Sequence, residues 1–134
     1  MKLRLESEEE LRALGRKIGA NIKLPKAICL KGELGSGKTT LVKAIAEGMG
    51  ILNGFQVRSP TFTILNCYET SRGRLYHADL YRVGELSLDE FSFDGLLIVE
   101  WPTGNIKCDC TILFEIQGYS RILDFSMCEE LLQT

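Results

Sequence analysis

The chain has 134 residues, 45% of them hydrophobic and 25% charged, a composition that excludes a disordered segment and suits one folded globular domain. A formal net charge of −2 argues against a broad basic face, so an RNA substrate would be contacted mostly through another subunit. No apolar run approaches the ~20 residues of a membrane-spanning helix. No secretory leader opens Met1-Lys2-Leu3-Arg4-Leu5-Glu6, and the expectation is a cytoplasmic protein with no membrane association.

Residues 1–6 alternate apolar and polar side chains, which predicts a short edge strand. Ser7-Glu8-Glu9-Glu10 is a capping box: the Ser7 hydroxyl accepts from the third helical N–H while Glu10 reaches back. Leu11, Leu14 and Ile18 then mark one apolar helix face, predicted to end near Gly19. Beyond Pro25, the run Ala27-Ile28-Cys29-Leu30 predicts a core strand. It feeds Gly32-Glu33-Leu34-Gly35-Ser36-Gly37-Lys38-Thr39, a full match to G-x-x-x-x-G-K-[ST], and helical spacing continues from Leu41-Val42 to a stop at Gly48-Met49-Gly50. Residues 62–68 and 75–80 predict a hairpin around Thr70-Ser71-Arg72-Gly73, so part of the sheet should be antiparallel. Residues 85–91 suggest a brief helix, and Gly95-Leu96-Leu97-Ile98-Val99 has the continuous apolar character of a strand buried on both faces. Two more strands are predicted at 111–116 and 121–125, linked through Gly118. The fold expected is a single-domain α/β three-layer sandwich of the P-loop NTPase type, spanning 1–134, with a mixed parallel and antiparallel central sheet.

The phosphate-binding loop specifies a chemical task. Its glycines let successive backbone N–H groups turn inward around phosphates, the Lys38 ammonium reaches the β- and γ-phosphates, and the Thr39 hydroxyl ligates Mg²⁺. The helix that follows adds its positive N-terminal field. Gly35, Ser36, Gly37, Lys38, Thr39 and Thr40 are therefore the expected nucleotide-binding set, with a nucleoside triphosphate and Mg²⁺ as ligands.

Hydrolysis also needs an acid near the metal and a group that orients the nucleophile. Glu100 ends the apolar run 96–99, where a Walker-B-like carboxylate would sit at the carboxyl edge of the sheet; the alternative is a solvated glutamate after a strand. Asp79 ends another strand and suits water polarisation or the metal shell, against a salt bridge to Arg82. His77 reads as packing or a local hydrogen bond ahead of catalysis. Trp101 reads either as core or as a contact to nucleotide or partner. Thr61, in Ser59-Pro60-Thr61-Phe62-Thr63, suits a switch segment sensing the γ-phosphate, against a plain turn opening a strand.

Five cysteines, an odd number, cannot all pair within the chain, and free thiols are the simple expectation. Cys108-Asp109-Cys110 invites a metal reading with His77, and alternation along a strand would put both thiols on one face. A zinc site wants about four ligands at a recognisable spacing, so structural, buried cysteines are the favoured reading.

Taken together, GELGSGKTT, SPTFTILNCYE, HADLYR and LIVEWP, in this order, resemble the bacterial ATPase subunit family of tRNA threonylcarbamoyladenosine biosynthesis, TsaE (formerly YjeE). The resemblance runs from about Ser7 to Pro102 and more weakly to Asp124. It implies a small Mg-ATP-hydrolysing protein that assists a TsaD-like threonylcarbamoyl transferase and its TsaB-like dimerising partner. These modify the adenosine beside the anticodon, with tRNA reached through the complex. It also implies that Thr39 and Glu100 serve the metal, that Asp79 is tied to hydrolysis, and that the base lies near Glu8 with Arg121 approaching it. Glu33 and Ser36 replace the family's commoner Asp and Ala, and the segments after Gly84 and Pro102 are shorter than usual. Two other classes are compatible with the motif. One is a self-sufficient P-loop kinase of a small metabolite, which needs more basic residues and a lid. The other is a binding module in which ATP merely orders an interface. No N-K-x-D segment supports a GTPase.

Overall fold

The computed structural model describes residues 1–24, 26–58, 65–80, 94–101 and 108–132. In chain order the elements are β1 (Lys2–Leu5), α1 (Glu8–Asn21), β2 (Lys26–Lys31), α2 (Lys38–Met49), β3 (Ile51–Arg58), β4 (Leu65–Thr70), β5 (Gly73–Asp79), β6 (Leu96–Glu100), β7 (Cys110–Gln117), β8 (Ser120–Asp124) and a 3₁₀ turn, Glu129–Leu132.

One eight-stranded sheet takes the order β1-β8-β7-β2-β6-β5-β4-β3. Its middle, β7-β2-β6-β5, is parallel, and both flanks are antiparallel, as the mixed-sheet reading required. Every residue of β6 is buried. Parallel β2 and β5 bracket it, which is why its sequence is a continuous apolar run. β1 lies at one edge, as its alternation predicted. β3, at the other edge, carried no legible signal. It starts immediately after the helix stop, and its pairing with β4 shifts register between Ile51 and Gln56.

Both α-helices cover one face of the sheet. Ile18 from α1 and Leu41, Ile45 and Met49 from α2 pack with Ile28, Leu30, Leu75, Leu96 and Ile98 from the strands. Truncating a fully buried side chain such as Leu30 or Ile98 to alanine costs about 2–5 kcal/mol. The helices meet through glycine: a Cβ at Gly19 would fall on the Ile45 carbonyl. The opposite face carries a smaller cluster, Cys29, Ala78, Leu80, Leu97 and Val99. The helix expected at 85–91 lies outside the described residues.

The capping box forms with a one-residue offset. Ser7 Oγ accepts from Glu10 N at 3.1 Å, while the Glu10 carboxylate accepts from Glu6 N at 2.8 Å. At its other end α1 runs two residues past Gly19 and has no basic residue in its last turn. Arg72, at the tip of the predicted hairpin, supplies that charge by donating to the Gly19 and Ile22 carbonyls, each at 2.6 Å.

The free-thiol expectation is overturned for four of the five cysteines. Cys29 pairs with Cys108, Cys110 pairs with Cys128, and Cys67 remains free. The cause is tertiary: Asp109 N donates to Ala27 O, and Ile28 stands opposite Cys110, so 108–110 runs beside 27–29. Cys108 also precedes β7 rather than alternating along it. It packs with the small cluster on one face while Cys110 joins the helix-covered core on the other, so the two do not share a face.

Candidate nucleotide and metal site

Strand alternation decides which side chains reach the carboxyl edge of the sheet on the helix-covered face. Leu75 packs into the helix-covered core while Tyr76 and Ala78 belong to the opposite cluster, so His77 and Asp79 share the face of Leu75. On β6, Leu96 and Ile98 face the helices, which carries Glu100 to the same side. Asp79 and Glu100 are register partners on adjacent parallel strands, and Leu80 N donates to Glu100 O at 3.1 Å. The start of α2 faces this edge.

At that start, Gly37 has φ 107°, a left-handed conformation that favours glycine, and a Cβ there would crowd Leu11. The turn places Lys38 and Thr39 at the sheet edge. Lys38 is 4% exposed, and its ammonium donates to the carbonyls of Gly32 at 2.6 Å and Glu33 at 2.8 Å. Its Nζ also lies 4.3 Å from the centre of the Trp101 ring. Burial pushes the Lys38 pKa down, while the charges of Glu100 and Asp79 pull the other way. Trp101 adopts φ 58°, uncommon for a bulky residue. Its N–H donates to Leu30 O at 3.3 Å, which ties the turn after Glu100 to β2.

Glu100 is 2% exposed, so the solvated-glutamate alternative is excluded. Thr39 Oγ1 lies 3.1 and 3.2 Å from its two carboxylate oxygens, and His77 Nε2 contacts Oε2. A hydroxyl beside a carboxylate is a hard-oxygen donor set, which fits Mg²⁺ completed by substrate phosphates. Among the described residues, no cluster of three or more His, Cys, Asp or Glu side chains forms a self-contained metal cage. The cysteine–histidine reading therefore fails: Cys108 and Cys110 are both paired, and His77 is engaged by Glu100.

Beside the loop, between the start of α1 and the β7–β8 turn, lies a cavity of about 260 Å³. Leu5, Glu8, Gly35, Thr40, Tyr119 and Arg121 are among its walls. Arg121 donates to Gly35 O at 3.3 Å, which joins the cavity to the phosphate loop. Glu8 pairs with Arg12 at 3.1 Å. Thus Glu8, Thr40 and Arg121 come together at one end of the site, and Lys38, Thr39, Asp79, Glu100 and Trp101 at the other. Ser36 is fully buried beneath the loop, where Lys38 Nζ approaches its hydroxyl at 3.3 Å. Thr61 and Arg82 lie outside the described residues.

Sequence reasoning missed Tyr119, which is 98% exposed beside the cavity. The available signal was a large aromatic ring next to a turn glycine, Gly118 at φ 59°. It also missed the His77–Glu100 contact, which follows from β5 lying beside β6.

Known proteins agree with this architecture. The sequence profile of the family described as "Threonylcarbamoyl adenosine biosynthesis protein TsaE" matches residues 5–122. The Aquifex aeolicus protein called "tRNA threonylcarbamoyladenosine biosynthesis protein TsaE" is 47% identical over 112 residues, covering 84% of each chain. The Bacillus subtilis protein of the same name is 42% identical over 106 residues, covering 75% of this chain and 66% of its own. The crystal structure of Bacillus subtilis YdiB superposes with a TM-score of 0.69 at 31% identity, covering 99% of this chain and 94% of that one. No helix among the described residues is long and apolar enough to cross a membrane. A family profile spanning residues 5–122 and a relative 47% identical establish that the chain belongs to the TsaE family.

Proposed function

We propose that this protein is a Mg-ATP-binding and -hydrolysing accessory subunit in tRNA threonylcarbamoyladenosine biosynthesis, acting with a TsaD-like transferase and its TsaB-like dimerising partner. One observation carries the reading: the phosphate-loop hydroxyl of Thr39 is hydrogen-bonded to the buried carboxylate of Glu100. A P-loop threonine and an acid at a parallel strand end are the two protein donors a P-loop Mg²⁺ site uses.

In this reading the β- and γ-phosphates enter the loop, and Lys38 exchanges its two carbonyl partners for phosphate oxygens. Backbone N–H groups of 35–39 and the N-terminus of α2 hold the negative charge. Thr39 and Glu100 would hold Mg²⁺, which neutralises charge developing on the transferred phosphoryl group. Asp79, beside Glu100, orients the attacking water. The nucleoside occupies the cavity among Glu8, Thr40, Tyr119 and Arg121, with the Tyr119 ring as a stacking surface. Trp101 reports occupancy, because nucleotide entry draws Lys38 from its ring.

The test is Mg-ATP hydrolysis by the purified chain, alone and with the two partner proteins, with Lys38→Ala as blank. Strong stimulation by the partners supports the accessory role. Robust turnover indifferent to them contradicts it and favours a self-contained P-loop enzyme such as a small-metabolite kinase.

A further inference from the structure

The chain's single histidine lies in the buried heart of the candidate site. His77 and Glu100 side chains are 9% and 3% exposed, and His77 Nε2 contacts Glu100 Oε2. On the sheet, His77 stands opposite Ile98, two residues before Glu100, so its ring reaches forward along the neighbouring strand. Thr39 approaches the same carboxylate from the start of α2. Glu100 is therefore held from two directions, by a hydroxyl and by an imidazole. A buried carboxylate without donors is strongly disfavoured, and one held by a single rotatable hydroxyl has no fixed orientation. The imidazole supplies a rigid donor, and a nitrogen ligand is poorly matched to a hard cation such as Mg²⁺.

We propose that His77 is a positioning residue for Glu100: its Nε2–H fixes the carboxylate so that the remaining oxygen acceptors face Thr39, with which Glu100 would hold the divalent cation. The proposal rests on the Mg-ATP reading. It assigns His77 no contact with nucleotide or metal. Outer-shell partners of metal ligands are typically worth 10- to 100-fold in metal affinity.

The test is calorimetric ATP binding in excess EDTA and across a Mg²⁺ series, for wild type, His77→Phe and His77→Gln. Phe keeps the bulk without a donor, and Gln restores an N–H. The expected result is a half-saturating Mg²⁺ concentration raised about tenfold in His77→Phe, with ATP affinity in EDTA unchanged. His77→Gln should recover most of the loss. If His77→Phe does not fold, His77→Leu against His77→Gln gives the same contrast. The proposal is overturned if donor-free and donor-bearing variants share the wild-type Mg²⁺ dependence. It is equally overturned if ATP affinity in EDTA falls as far as Mg²⁺ affinity, the mark of general packing damage. Wild type that binds ATP without any Mg²⁺ effect would sink the site reading itself, an outcome distinct from both.

Discussion

The two ends of the candidate site are built differently. At the proposed phosphate end, Lys38 and Glu100 are buried and already engaged, beside the exposed Thr39 and Asp79. Lys38 bonds to the Gly32 and Glu33 carbonyls, and Glu100 is held by Thr39 and His77. At the proposed nucleoside end, an open cavity is flanked by the almost fully exposed Tyr119 and by the exposed first turn of α1. A buried charge must find partners in the folded chain or shift its pKa. An exposed aromatic ring has no such requirement and takes its partner when one arrives. The phosphate end is thus preorganised and should carry catalysis, whereas the nucleoside end should contribute affinity in smaller steps.

The sharpest way to break this contrast is Lys38→Ala. Losing the cation should lower Mg-ATP turnover by about 100-fold or more, the scale of removing one preorganised electrostatic group; steady-state hydrolysis with and without the partners measures it. Glu100→Gln keeps the shape of the side chain but removes its charge and replaces one acceptor oxygen with a donor NH2. It should raise the Mg²⁺ requirement about tenfold or more while leaving metal-free ATP affinity within about twofold, read by binding in EDTA and in Mg²⁺. Equal losses in both conditions would detach Glu100 from the metal. At the open end, Tyr119→Ala should weaken ATP binding about fivefold, the value of roughly 1 kcal/mol of aromatic contact, with kcat unchanged. Arg12→Ala is smaller still. It breaks a solvent-exposed pair with Glu8 at 3.1 Å and should cost less than about 1 kcal/mol of stability in chemical denaturation.

What the sequence disclosed follows the same division. Local rules sufficed for the capping box, the phosphate loop, the β4–β5 turn and the strand ending at Glu100, because each is written in contiguous residues. What they could not disclose was which strands become neighbours. Only the β5–β6 pairing brings His77 to Glu100, and only the return of 108–110 along β2 brings Cys29 to Cys108. β3 was passed over because Asn53-Gly54 reads as a turn within its span, where its pairing with β4 shifts register between Ile51 and Gln56. Tyr119 was passed over because its turn makes it an element boundary rather than part of a face. The cysteine pairing can be checked simply. Alkylation of denatured, unreduced protein should modify Cys67 alone, and reduction should expose all five thiols. In the folded protein burial raises the Cys67 pKa, with Glu69 adding to it, so its alkylation should speed up as pH rises through the alkaline range.

In the proposed function Thr39 and Glu100 form one Mg-nucleotide site with Lys38. Its most direct test is a Trp101 fluorescence titration with ATP, with and without Mg²⁺, on wild type and Lys38→Ala, since Trp101 is the chain's sole tryptophan and Lys38 lies against its ring. Wild type should show a saturable change that tightens with Mg²⁺ and is lost in Lys38→Ala. A titration that is flat while calorimetry records binding, or one unaffected by the lysine substitution, would contradict it.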